Sequence, residues 1–274
     1  MGSVQKKSVI VTGGGSGIGL AMSRHFASEG HNVAIFDVNA ESGAKIASEL
    51  SSKHPNATVT FRKSDVSSWD DLAAAFKEVY EQRGSIDVVM ANAGISEQGS
   101  SSAVDLSEAE PTKPRLKVFD VNLTGVVYTV KLASHYMNRK PKSANSRGLI
   151  VCTASNAGLY PFPVAPLYAT SKFGVIGLVR SLAAPLEQHG IQINGLAPAV
   201  IETNIAPSKD LFKDMAITPM ETLIRGVAQF VADPSLSGEI AEVHGSEVTL
   251  RPPHEYADAD TKKNIDVFNS LGYA

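Results

Sequence analysis

Thr12-Gly13-Gly14-Gly15-Ser16-Gly17-Ile18-Gly19 follows the apolar run 9–11 directly and opens into a segment, 18–29, whose apolar residues recur at helical spacing. A strand, a glycine turn and a helix in that order bring backbone N–H groups and the positive end of a helix dipole to one point, which suits a pyrophosphate. A glycine cluster by itself is equally a tight turn. Asp37 raises it above that: it closes the next apolar run, 33–36, eighteen residues beyond Gly19. From such a strand end a carboxylate reaches the ribose hydroxyls of an adenosine.

The same carboxylate repels a 2′-phosphate, and no Arg or Lys stands in the glycine loop to offset it. The expected cofactor is therefore NAD rather than NADP. The plainer account of Asp37 is a solvated carboxylate at a strand end, and its position in the strand, loop and helix unit makes that the weaker one.

Outward from this unit, short apolar runs at 33–36, 59–61, 86–90, 149–152, 191–196 and 240–243 alternate with helix-length segments at 40–50, 69–82, 114–138, 166–189 and 220–231. Together with 9–11 and 18–29 they predict βαβ units: a doubly wound (Rossmann) α/β fold, one parallel sheet of about seven strands with helices on both faces. No internal repeat and no linker interrupts it, so residues 1–274 are expected to form a single domain. Three stretches break the alternation. Polar 94–113 is expected to be a loop or insertion, 204–219 a substrate lid, and 244–274 an extended arm or disordered tail.

Composition narrows the chemistry. A formal net charge of −3 over 274 residues leaves no basic footprint for nucleic acid. The lone Cys152, inside an apolar run, excludes an internal disulfide framework and reads as a buried structural thiol. His31, His54, His135 and His189 lack metal-ligand spacing, so no metal is expected. The apolar run near the N-terminus is too short for a signal peptide or a membrane span, which points to a cytoplasmic protein without a membrane partner.

The stretch from Ser155 to Lys172 carries the candidate chemistry. If residues from Pro166 onward are helical, Tyr168 and Lys172 share one face at i and i+4. The ammonium should then lower the phenol's pKa and make Tyr168 a general acid/base, with Ser155 holding the substrate oxygen. Alone, the pair is weak evidence: a chain with seven tyrosines meets Tyr-x-x-x-Lys about 0.4 times by chance, usually as an exposed helical pair.

Taken together, these residues resemble the short-chain dehydrogenase/reductase family over nearly the whole chain. The loop from Thr12 to Gly19, Asn92-Ala93-Gly94 after the fourth apolar run, Val121-Asn122-Leu123, and Ser155, Tyr168 and Lys172 match its motifs in order and spacing. Residues 156–161 and 238–246 look closest to members like NAD-dependent 15-hydroxyprostaglandin dehydrogenase. The resemblance implies a catalytic tetrad of Asn122, Ser155, Tyr168 and Lys172, with Asn122 holding a water and Lys172 also holding the nicotinamide ribose. It implies a cofactor site of Gly13, Ser16, Gly17, Ile18, Gly19 and Asp37, with Asp65 and Val66 flanking the adenine. Asn92, Ala93 and Gly94 would line the cleft, and Ile201 and Thr203 would meet the nicotinamide amide.

Its members commonly pair through the helices here at 114–138 and 166–189, implying a homodimer or homotetramer. The sequence departs from the family pattern at Ala91, at Pro198-Ala199 and at His244-Gly245. Oxidation of a secondary alcohol on a largely apolar small molecule is the implied activity, or ketone reduction at the same site. An NAD-binding regulator or scaffold without turnover is the rival, and it has no need of Tyr168 beside Lys172. Tyr160, Phe162, Ile95, Leu211, Phe212, Met215 and Ile217 are expected either to wall an apolar substrate or simply to pack.

Overall fold

The computed structural model describes residues 6–97, 107–141, 146–203, 205 and 209–271. Strand β1 (Ser8–Thr12) is buried along its whole length, as an unbroken apolar run must be when helices cover both sheet faces. It sits mid-sheet in the order β3-β2-β1-β4-β5-β6-β7-β8, formed by β2 (Asn32–Asp37), β3 (Val59–Lys63), β4 (Val88–Ala91), β5 (Gly148–Thr153), β6 (Ile191–Pro198), β7 (Ile240–His244) and β8 (Glu247–Arg251). The first seven strands are parallel. The chain reverses its direction of travel between β1 and β4, and the crevice beyond the carboxyl ends of these two strands is where such sheets take ligands.

The helices are α1 (Gly17–Ser28), α2 (Ala40–Lys53), α3 (Trp69–Arg83), the single turn α4 (Lys117–Phe119), α5 (Gly125–Met137), α6 (Pro166–Glu187), α7 (Met220–Ala232) and α8 (Ala259–Ser270). Alternation along β1 divides the core in two. Ile10 faces Phe76, Val130, Ile150 and Val179 from α3, α5, β5 and α6. Val9 and Val11 face Met22, Phe26, Ile46 and Phe230 from α1, α2 and α7.

Three features differ from the sequence expectation. An eighth strand extends the sheet: β8 runs antiparallel to β7, His244 pairing with Glu247 across a turn in which Gly245 has φ +49°, a hairpin of the two-residue kind. The expected tail is thus partly sheet, and it ends in α8, which Asp258 caps by accepting from the Thr261 amide at 2.7 Å and which buries no residue. The expected helix 114–138 begins only at Lys117 and widens into a π-helical turn at Asp120–Thr124 before α5. Of the expected loop and lid, residues 98–106, 204 and 206–208 lie outside the described residues; within the lid, Lys209–Phe212 form a 3-10 turn.

Candidate active site

Two polar side chains tie the strand ends into one floor. The Thr12 hydroxyl accepts from the Asn92 and Ala93 amides at 2.9 and 3.1 Å and donates to the Met90 carbonyl. The Asn92 amide side chain donates to the Thr12 carbonyl at 3.1 Å and accepts from the Thr153 hydroxyl at 3.2 Å. β1, β4 and β5 are therefore locked together where they end.

The glycine loop lies on this floor because side chains would not fit. A Cβ on Gly13, whose φ is +62°, would stand 2.9 Å from the Ala93 Cα, and one on Gly19 would stand 2.1 Å from the Gly13 carbonyl oxygen. With these contacts closed, Ser16, Gly17 and Ile18 carry the first turn of α1 to the cleft wall. Asp37 reaches back to the loop, Oδ2 accepting from the Gly15 amide and Oδ1 from the Asn39 amide, each at 3.0 Å. Next to it, Asp65 accepts from the Ser67 hydroxyl at 2.6 Å and its amide at 2.9 Å. The Ser67 hydroxyl holds that carboxyl below its ordinary range, helped by the Ser67 amide and the Lys117 charge and opposed by burial.

At the other end of the cleft, Ser155 ends the segment after β5 as N-cap of the 3-10 turn Asn156–Gly158, its hydroxyl accepting from the Ala157 amide at 3.1 Å. Tyr168 and Lys172 rise from the first two turns of α6. Lys172 is buried, donates to the Thr153 carbonyl at 2.8 Å, and lies 5.6 Å from the Tyr168 ring centroid. The expected lowering of the phenol by the lysine is corrected here. Burial pushes Tyr168 up, and the opposing pull comes from the Ser155 hydroxyl. The ammonium sits over the ring face with its hydrogen bond directed at the strand end, and burial lowers Lys172 itself to about 8. Cys152, beneath them, is pushed up to about 12 by burial and is an inert thiol.

Asn122, in the π-helical turn, is fully buried. Its Oδ1 accepts from the Ile95 amide at 2.8 Å while its Nδ2 donates to the Ile95 carbonyl at 2.9 Å and to the Ser171 hydroxyl at 3.3 Å. Both Nδ2 donors are thus taken, so the water expected at Asn122 would be held by the remaining acceptor capacity of Oδ1.

A single cleft of about 680 Å³ joins the two ends. Gly13, Ser16, Gly17, Ile18, Asp37, Asp65, Val66, Asn92, Ala93, Gly94, Ser155, Tyr168, Lys172, Ile201 and Thr203 line it. Gly19 and Asn122 lie behind its wall and shape it from there. The lining also takes in Ser64, Thr153 and Lys117, which the sequence reading passed over. Ser64 is buried among strand-end residues, and no local motif marks it.

The expected apolar wall is only partly present. Ile95 lines the cleft and the Phe162 ring lies 6.4 Å from that of Tyr168. Tyr160 turns away: its hydroxyl donates to Glu242 Oε2 at 3.1 Å and accepts from Arg251 at 3.2 Å, fastening the segment after the 3-10 turn to β7 and β8. Met215 and Ile217 are exposed and outside the lining, Phe212 is half-buried, and the Leu211 side chain lies outside the described residues.

The residues present fit a dinucleotide. Glycines whose missing side chains let the loop close on the floor, a helix N-terminus on the wall and a carboxylate at the far end form the donor and acceptor set for pyrophosphate and ribose. Among the described residues, no group of three His, Cys, Asp or Glu side chains could hold a metal, and no helix is long and apolar enough to cross a membrane.

Comparison with known proteins identifies the family and the fold. The short chain dehydrogenase family model matches residues 7–214. The 5'-hydroxyaverantin dehydrogenase of Dothistroma septosporum is 34% identical over 280 residues, covering 97% of this chain and 90% of that one. The bovine 15-hydroxyprostaglandin dehydrogenase [NAD(+)] is 27% identical over 263 residues, covering 89% and 93%. Among solved structures, levodione reductase superimposes with a TM-score of 0.74 at 26% identity, covering 87% of this chain and 96% of that one.

Proposed function

Because the chain belongs to the short-chain dehydrogenase/reductase family and is an oxidoreductase of that kind, we propose that it transfers a hydride between NAD and a secondary alcohol or ketone on a largely apolar small molecule. One observation carries the proposal: Asp37 and the glycine loop line the same cleft as Ser155, Tyr168 and Lys172. The Asp37 carboxylate at the ribose end supports NAD over NADP, as does the NAD(+) in the name of the bovine relative. The names of the hydroxyaverantin and hydroxyprostaglandin dehydrogenases support an alcohol as the substrate group, and the frame proposed for it is of steroid, terpenoid, polyketide or lipid type.

A bound nicotinamide supplies the hydride acceptor for oxidation or the donor for reduction. Gly13, Ser16, Gly17, Ile18 and Gly19 would hold or shape the pyrophosphate end, Asp65 and Val66 the adenine, and Asn92, Ala93, Gly94, Ile201, Thr203 and Lys172 the nicotinamide riboside. Ser155 orients the substrate oxygen, and Tyr168 takes its proton in oxidation or returns one in reduction. With the phenol pushed up by burial, oxidation gains from alkaline pH, where more phenolate forms, and reduction loses. Asn122 holds the loop after β4 in register with this site.

We propose that residues 1–274 make one catalytic domain, that the segment 204–219 serves as its substrate lid, and that β8 stiffens the 244–274 arm. Exposed Val127 on α5 and Phe173 on α6, at 40% and 47%, support a homodimer or homotetramer packed through these helices. A cytoplasmic location completes the proposal.

Screening secondary alcohols of these four types for NADH formation tests it. Tyr168→Phe should bind NAD as the parent does and lose turnover by about 10²-fold or more. Absence of turnover across the panel with normal NAD binding would instead support the non-catalytic binding protein.

A further inference from the structure

The first turn of the catalytic helix has no cap of its own. Ala165 stands at the N-cap without a side-chain acceptor, and Pro166, at the first helical position, has no N–H to offer. Leu167 and Tyr168 are therefore the first residues with free amides. Both amides donate to a single oxygen, Glu97 Oε2, at 3.0 and 3.1 Å, from a residue about seventy positions earlier in the chain.

We propose that Glu97 is a positioning residue that sets the Tyr168 hydroxyl in the cleft by capping α6 from the loop after β4. A carboxylate at a helix N-terminus satisfies unpaired donors and also meets the positive end of the helix dipole. Tyr168 is the third residue of α6, so fraying of that turn moves the phenol itself.

The loop that delivers Glu97 is fixed at two points before it arrives. Asn92 is bound to Thr12 and Thr153, and the Ile95 backbone is gripped at both its N–H and C=O by Asn122. Between those points a Cβ on Gly94 would lie 3.4 Å from Asn122 Oδ1 and 3.6 Å from Lys172 Nζ. A continuous strut thus runs from the end of β1, beside the glycine loop, to the backbone of Tyr168. It fixes the separation between the cofactor end of the cleft and the phenol, the quantity on which proton and hydride transfer both depend.

The inference rests on the hydride-transfer reading, and its test separates the two. Full-length parent, Glu97→Ala and Glu97→Gln are compared with NAD and a secondary alcohol the parent oxidises, and by amide hydrogen exchange over 166–172. In Glu97→Ala, kcat should fall about tenfold or more while KM for NAD stays within about twofold, and the Leu167 and Tyr168 amides should exchange about tenfold faster. Glu97→Gln keeps an acceptor oxygen in place and should recover both readouts to within about threefold of the parent. A fold-stability role alone would lower the melting temperature and leave kcat per folded molecule unchanged. Glu97→Ala with parental kcat, Glu97→Gln as slow as Glu97→Ala, or unchanged amide exchange overturns the proposal. If the parent oxidises none of the alcohols, the hydride-transfer reading fails by itself, and the exchange comparison still decides whether Glu97 holds the Tyr168 turn.

Discussion

The Lys172 ammonium donates to the Thr153 carbonyl at 2.8 Å and lies over the Tyr168 ring rather than at its hydroxyl. The lysine is buried, and burial lowers it from 10.5 to about 8. At neutral pH it is therefore still protonated and costs the folded state stability. The shift corresponds to about 3 kcal/mol.

Replacing that charge should stabilise the fold while removing activity. Lys172→Met should raise the melting temperature at pH 7 by an amount equivalent to about 1–2 kcal/mol, after the unpaired Thr153 carbonyl takes back about 1 kcal/mol. Between about pH 8 and 10.5 the unfolded chain holds a proton that the folded parent has released, so the parent gains stability as pH rises through this window. The advantage of the variant should shrink accordingly. Thermal melts at pH 7 and 9.5 check the sign, and turnover of the variant should be lost at both.

Asp37 carries the expectation about the cofactor, and its contacts sharpen it. Its two oxygens hold the Gly15 and Asn39 amides. In Asp37→Ser the carboxylate no longer repels a 2′-phosphate, and two freed N–H donors face the space it leaves. The ratio of kcat/KM for NADP to that for NAD should rise about tenfold or more, equivalent to about 1.4 kcal/mol. An unchanged ratio in steady-state assays with both cofactors would remove Asp37 from the specificity argument.

What the sequence showed and what it hid divide along physical lines. The glycine loop, Asp37 and the Tyr168 and Lys172 pair are legible because each obeys a local spacing imposed by a turn, a strand end or a helix face. Thr12 and Asn92 bond across some eighty residues, and Glu97 and Tyr168 across seventy-one, so no periodicity links them. The π-helical turn that carries Asn122 interrupts a segment whose apolar pattern reads as one plain helix. β8 alternates Val248 and Leu250 with Glu247, Thr249 and Arg251 as an edge strand does, and a reading tuned to continuous apolar runs misses it. Spacing alone mispredicts the direction of the phenol's pKa because i, i+4 brings the two side chains together without fixing where the ammonium points. In the fold it points at a strand carbonyl, and burial then dominates.

Gly177 gives a test of the proposed pairing through α6. It is an exposed glycine inside the helix, one turn beyond exposed Phe173, and an added Cβ would meet no atom of its own chain within 4 Å. For a lone chain, Gly177→Ala should add about 0.5–1 kcal/mol, since alanine gives up less backbone freedom on folding. Packed helix against helix across a two-fold axis, the same position faces its counterpart in a second copy, and a methyl group there forces two backbones apart. The pairing proposed here therefore reverses the sign: Gly177→Ala should lower the melting temperature and shift sedimentation velocity profiles toward the monomer as concentration falls. A raised melting temperature with unchanged sedimentation would show that this face of α6 is free in solution, and the pairing surface would have to lie elsewhere.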